Sequence, residues 1–235
     1  MKSKWFVAMS MAVIMVFTTA VGLCIHALNQ PQMVLSAADN QLVIVLDAGH
    51  GGMDGGVVGK CTKIKESTLN LQITQRLQYK LGDMGFTVVL TRKTDAGLYG
   101  LPTNGFKKRD MQKRKEIIQE TNPDMVLSIH QNYYPAGSAR GGQVFHNGEE
   151  CDALLAESIQ ERLNAMYAEQ GVKARMCKTG DYFMLGCTAK PSVIVECGFL
   201  SNAKDENLLI DDVFQDTIAQ AIAGGVVAYL SQCLS

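Results

Sequence analysis

The sequence lacks an excess of either charge. Its 22 Lys and Arg offset 23 Asp and Glu to leave a net charge of −1, and acids and bases are interspersed. There is no basic stripe and no RNA-binding signature, so a polycationic nucleic-acid binder is excluded. The sequence also lacks any C-x-x-C pair. Its cysteines, Cys24, Cys61, Cys151, Cys177, Cys187, Cys197 and Cys233, are too scattered for a cysteine metal knuckle or a dense disulfide framework. Most are expected to be buried free thiols that pack like small apolar residues, with Cys177 and Cys187 the pair placed to bridge a hairpin. Internal repeats and low-complexity tracts are absent. So are Asp, Glu, Lys and Arg throughout the run from Trp5 to Leu28.

That uncharged run is long enough to cross a bilayer as a helix, and Lys2 and Lys4 before it would stay on the cytoplasmic side. Residues 1–28 are therefore expected to be a membrane or signal-anchor segment, 29–41 a polar linker, and 42–235 one extracytoplasmic catalytic domain. Cleavage after Ser36-Ala37-Ala38 is the alternative to a retained anchor. Leu23 is too large for a lipoprotein site at Cys24.

From Leu42 the pattern alternates strand and helix. Leu42 to Leu46 is a continuous apolar run, as in a strand covered on both faces. Leu69, Ile73, Leu77 and Leu81 then form a helical stripe, ended by Gly82 and Gly85. Further strands are expected at 86–90, 125–129, 143–145 and 192–195. Helices are expected at 111–120, 153–168 and 214–230. Helices between buried strands predict an α/β fold, a mostly parallel mixed sheet with helices on both faces. In such a sheet the site lies beyond the carboxyl ends of the strands.

Three strand ends carry unusual polar residues: Asp47-Ala48-Gly49-His50, Ser128-Ile129-His130-Gln131-Asn132, and Glu196-Cys197-Gly198. Parallel strands would bring His50, His130 and Glu196 to one edge, with Glu66 returning from the Gly-rich loop. A histidine at a strand end is more often a hydrogen-bonded structural residue than a ligand; the conjunction of two with two carboxylates is what points to metal. Two imidazoles and one carboxylate form a common catalytic zinc set with a fourth position left for water, and a second carboxylate can take that water's proton. His26 lies in the apolar run, and His146 is expected at a surface or rim. Asp54 and Asn132 are expected along the cleft.

These motifs resemble the zinc-type N-acetylmuramoyl-L-alanine amidases, the amidase 3 family, over about 43–230. The resemblance rests on Val45-Leu46-Asp47-Ala48-Gly49-His50-Gly51-Gly52, Glu66 with Leu69-Asn70-Leu71, Leu90-Thr91-Arg92, Arg114, Ser128-Ile129-His130-Gln131-Asn132, and Val195-Glu196-Cys197-Gly198-Phe199-Leu200-Ser201-Asn202. It implies that His50, Glu66 and His130 bind Zn2+, that Glu196 is the catalytic carboxylate, and that peptidoglycan is the substrate, cut between N-acetylmuramic acid and L-alanine. Gln131 and Cys197 depart from the family pattern, at positions with no assigned role. Neither an inhibitory helix between His130 and Glu196 nor a wall-binding repeat is seen. One bare domain behind a membrane segment is similar to the sporulation and germination amidase of the spore cortex, whose action leads to muramic-δ-lactam. An activating protein partner, which would complete the cleft or help load zinc, fits the same picture. The competing classes are a zinc peptidase cutting within the stem peptide, a cysteine hydrolase using Cys197, and a partner-dependent wall-binding module.

Overall fold

The computed structural model describes residues 41–233. The expected membrane segment, Cys24, Ser36-Ala37-Ala38 and all of the linker but Gln41 lie outside the described residues. Six strands form one sheet: β1 (Val43–Ala48), β2 (Thr87–Leu90), β3 (Met125–Asn132), β4 (Gln143–His146), β5 (Lys178–Thr179) and β6 (Ser192–Phe199). Their order is β2-β1-β3-β6-β4-β5. The first four neighbours are parallel, and β4 runs antiparallel to β6. Five helices accompany them: α1 (Glu66–Asp83), α2 (Phe106–Thr121), α3 (Glu150–Ala168), α4 (Ala203–Leu209) and α5 (Asp212–Cys233).

The two faces of the sheet are covered unequally. Side chains alternate along a strand, so Ile44, Leu46, Leu127, Ile129, Val193, Val195 and Cys197 all point to one side. There they meet the apolar stripes of α1, α3 and α5 in a single core. The opposite face offers Val45, Val126 and Ile194, packed on Ile118 of α2 and on Met184, Leu185 and Cys187 around a short 3-10 turn, Phe183–Gly186, with the partly buried Val89, Met111 and Phe145 beside them. The thin layer leaves the carboxyl end of this second face open, and Asp47, Ser128, His130 and Glu196 lie on it by the same alternation. Among the described residues, α5 is long and apolar enough to cross a membrane, but half of its most apolar stretch is buried in the core.

Several elements run past their sequence-read limits. β3 and β6 each continue to the polar residues that end their apolar runs, so His130 and Glu196 sit within strands. α2 begins at Phe106, ahead of its expected start at 111, because Lys107-Lys108-Arg109-Asp110 after that one aromatic carry no apolar stripe to read. Its stop does follow the expected signal: Asn122 takes a left-handed conformation (φ 47°) just before Pro123. α4 was not anticipated, although Asn202 is a recognisable N-cap whose side chain accepts from the Lys204 and Asp205 amides. The six described cysteines are all free. Only Cys187 and Cys197 are buried, and Cys61, Cys151 and Cys233 are exposed, so the expectation of mostly buried thiols is corrected. No bridge joins Cys177 to Cys187. His146, expected at a rim, is buried instead, and its Nδ1 accepts from the Gly148 amide.

Candidate active site

α1 starts without a side-chain cap. Its first amides are satisfied by the Gly-rich loop: Glu66 N–H donates to Val57 O (2.8 Å) and Ser67 N–H to Gly55 O (3.1 Å). This arrangement fixes Glu66, the first residue of the helix, against the loop that carries His50. His50 itself has φ 61°, an uncommon conformation for a side-chain-bearing residue, of a kind that gathers at functional sites.

The donor atoms of His50, Glu66 and His130 all lie within 4.8 Å of one another. Glu66 Oε1 is 3.3 Å from His50 Nε2 and 2.9 Å from His130 Nδ1. It also accepts from the Gln131 amide (3.1 Å) and Asn70 Nδ2 (3.3 Å), while Oε2 accepts from Val57 N–H (2.9 Å). Burial alone would raise the Glu66 pKa, but the hydrogen bonds from His130 and His50 outweigh it and hold the carboxyl far below its ordinary range. Burial likewise disfavours a charged His50, yet Glu66 and then Asp54 raise its pKa to about 9. A tight cluster of two imidazoles around one carboxylate, with nitrogen and oxygen donors converging, fits a zinc ion.

Glu196 is the register partner of His130 on the adjacent strand and shares its face. Its Oε2 is buried without a hydrogen-bond partner, a costly state that structures seldom keep without use. Burial, only partly offset by His130, raises its pKa to about 7. Cys197 lies on the other face, fully buried in the main core, and burial followed by the nearby Glu196 charge pushes its thiol far up. Thiolate chemistry is thereby removed from consideration.

The floor of the site is held by two buried arginines. Arg92 donates to the carbonyls of Ala48, Gly49, Ser67 and Thr94. Arg114 donates to Ala48 O and His50 O and pairs with Asp47 and Asp110. Burial works against the Asp47 carboxylate, but Arg114, Ser128 and Thr91 lower its pKa to about 2. With their donors turned to the protein, both arginines are braces for the 48–50 backbone. Arg114→Met is expected to destabilise the fold by about 3–5 kcal/mol, because it strands a buried charge. Adding Asp47→Leu should recover much of that. Urea unfolding measures both, and a single-variant loss under about 1 kcal/mol would contradict the brace.

The glycines leave room for the rings. A Cβ on Gly49 would lie 2.2 Å from His130 Cε1 and Nε2. Gly49→Ala should therefore push His130 aside and weaken zinc binding by at least roughly 10-fold. Titration against a chromophoric chelator reads this, and unchanged affinity would mean that the ring can move without cost.

Two residues of the cluster were not assigned from sequence. Asp54, read only as cleft lining, places Oδ2 3.0 Å from His50 Nδ1 and also pairs with Lys107. Its signal was a carboxylate one short turn after a candidate ligand. Asn70 bonds both Gly49 O and Glu66, and its signal was an amide one helical turn after Glu66, beside the apolar stripe. Asn132 ends β3 at the same edge, and its side chain accepts only from the next amide, that of Tyr133.

A family model described as N-acetylmuramoyl-L-alanine amidase, Amidase_3, matches residues 44–228. The chain belongs to the amidase 3 family. It is an N-acetylmuramoyl-L-alanine amidase, and that identity implies a peptidoglycan substrate. The germination-specific N-acetylmuramoyl-L-alanine amidase of Bacillus subtilis is 33% identical over 194 residues, 81% of this chain and 80% of that protein. LytC of the same organism is 33% identical over 189 residues, 79% of this chain but only 35% of that longer protein. Among solved structures, the CwlD amidase from Clostridioides difficile in complex with the GerS lipoprotein superposes with a TM-score of 0.77 at 36% identity, covering 81% of this amidase and 99% of that chain. The catalytic domain of CwlV from Bacillus (Paenibacillus) polymyxa var. colistinus gives 0.71 at 29% identity, with 81% and 99% covered.

Proposed function

We propose that this amidase works with one zinc ion held by His50, Glu66 and His130, and that Glu196 is its catalytic carboxylate. The observation carrying the reading is the convergence of those three donors within 4.8 Å beside a buried carboxylate oxygen that has no partner. Zinc in such a site supplies Lewis acidity and lowers the pKa of a water towards about 7. Glu196 takes a proton from the water attacking the lactyl carbonyl carbon and passes it to the departing amine of L-alanine. The products are a free muramyl carboxyl and a free peptide. Asp54 orients His50, while Asn70 and the Gln131 amide orient Glu66. Around them, the braced 48–50 backbone keeps the rings in register.

Relatives named as cell wall amidases support action outside the cytoplasm. The germination-specific relative and the CwlD likeness support a role in spore cortex, where stripping selected muramic acids of peptide allows muramic-δ-lactam to form. The GerS lipoprotein bound to the CwlD amidase supports an activating protein partner here as well. On this reading 1–28 anchors or exports the chain, and 42–235 is the catalytic domain.

The test is digestion of purified cell wall by the metal-analysed enzyme, with mass analysis of the products. About one zinc per chain is expected, with muramyl carboxyl released and release abolished by chelator. Shortened stem peptides would establish a peptidase instead, and binding without products would leave a wall-binding module.

A further inference from the structure

One strand beyond Glu196, the same edge of the sheet opens into a groove of about 490 Å³. Gln143 of β4 lines it and is the cross-strand partner of Glu196, so the groove lies one strand over from the catalytic carboxylate, on the side away from the His50 loop. Its far wall is the segment 171–178. Arg140, Lys173, Arg175 and Lys178 line the groove, and no acidic residue does.

The four cations are not equivalent. Arg140 is engaged by the buried Asp205 at 2.8 Å. Arg175 donates to Arg140 O (2.6 Å) and Gln143 Oε1 (3.2 Å), with its guanidinium over the Phe199 ring. Gln143 in turn donates to Met176 O (2.9 Å). This lattice ties the far wall to the strand opposite Glu196. Lys173 and Lys178 are exposed, and neither side chain has an ion pair or hydrogen bond among the described residues. Two unpaired ammonium groups on a braced wall without a counter-charge are arranged to meet an anion.

We infer that this groove is the subsite for the peptide half of the substrate, with Lys173 and Lys178 binding the peptide's carboxylates. The inference rests on the active site lying at His50, Glu66, His130 and Glu196. The choice of occupant follows from charge. The glycan half is neutral once its lactyl carboxyl is tied up in the amide, whereas the stem peptide carries free carboxylates. A peptide seated here runs its amide end across the start of β4, past Gln143, towards Glu196, and the sugar falls on the side of the His50 loop. Such contacts bind without entering the bond-breaking step, so they act on KM.

Two muramyl peptides of one sequence, one with free carboxylates and one with those groups amidated, test the inference. The wild-type enzyme should show the lower KM for the acidic form, and rising salt should erode the difference. In Lys173→Ala/Lys178→Ala the KM for the acidic form should rise roughly 5- to 10-fold and converge on that of the amidated form, as expected for two exposed ion pairs. Lys173→Glu/Lys178→Glu should reverse the preference. A wild-type enzyme indifferent to amidation, or an alanine variant that keeps the wild-type KM ratio, would overturn the inference. So would inhibition of the wild type, but not of the variant, by a soluble wall polyphosphodiester with the peptide KM ratio intact, since the groove would then serve a different polymer. Glu196→Gln run in the same assay separates the two readings. Turnover surviving in that variant misplaces the active site, whereas an inactive Glu196→Gln with no KM ratio in the wild type removes the groove alone.

Discussion

Glu196→Gln should lose turnover by roughly 10²–10⁴-fold, the usual worth of a positioned general acid–base group, while keeping its zinc. The substitution preserves shape and changes one property: the amide cannot take a proton from water. Glu196 is not among the three clustered donors, so metal content should be unchanged. The variant also relieves a cost, since a buried carboxylate oxygen without a partner gives way to a neutral group. Its thermal midpoint should therefore match or exceed that of the wild type. Activity on purified peptidoglycan, metal analysis and thermal unfolding together read the three expectations. Turnover within a few-fold of wild type would remove Glu196 from the proton path.

His130→Ala should be more severe, because on the proposed reading it removes a zinc ligand. The ring supplies one of three donors and is also the 2.9 Å partner of Glu66 Oε1. Without it, bound zinc after dialysis should fall from about one to near zero per chain, and turnover should fall below detection. His146→Ala is the matched control. His146 is likewise a histidine near the carboxyl end of a strand, and more buried, but it lies outside the cluster. Its loss should cost stability and leave zinc in place. If both variants keep metal, His130 is not a ligand; if both lose it, zinc loss merely reports a damaged fold.

The legibility of this site has a physical basis. Parallel strands expose their carboxyl ends together, so polar residues that end buried apolar runs must meet at one edge. That argument brought His50, His130 and Glu196 together from three distant stretches of sequence. Faces were legible too. The alternation that directs Cys197 into the core follows from the period of a strand alone, and the thiol does lie there. Braces were legible in kind but not in detail. Arg92 and Arg114 read in sequence as residues that bridge loops rather than as carboxylate binders, and the structure shows which carbonyls take their donors.

The order of chemistry-bearing residues along the chain, their attachment to buried runs and the absence of any competing motif were determined by the sequence by itself, since local patterning encodes which residue ends which strand. Tertiary structure alone decided the unequal cover of the two sheet faces, the capping of α1 by loop carbonyls, the partners Asp54 and Asn70, and the cationic groove beside Glu196. Each depends on the distance between segments far apart in sequence, and that distance is set by packing of the whole core, which no local pattern contains.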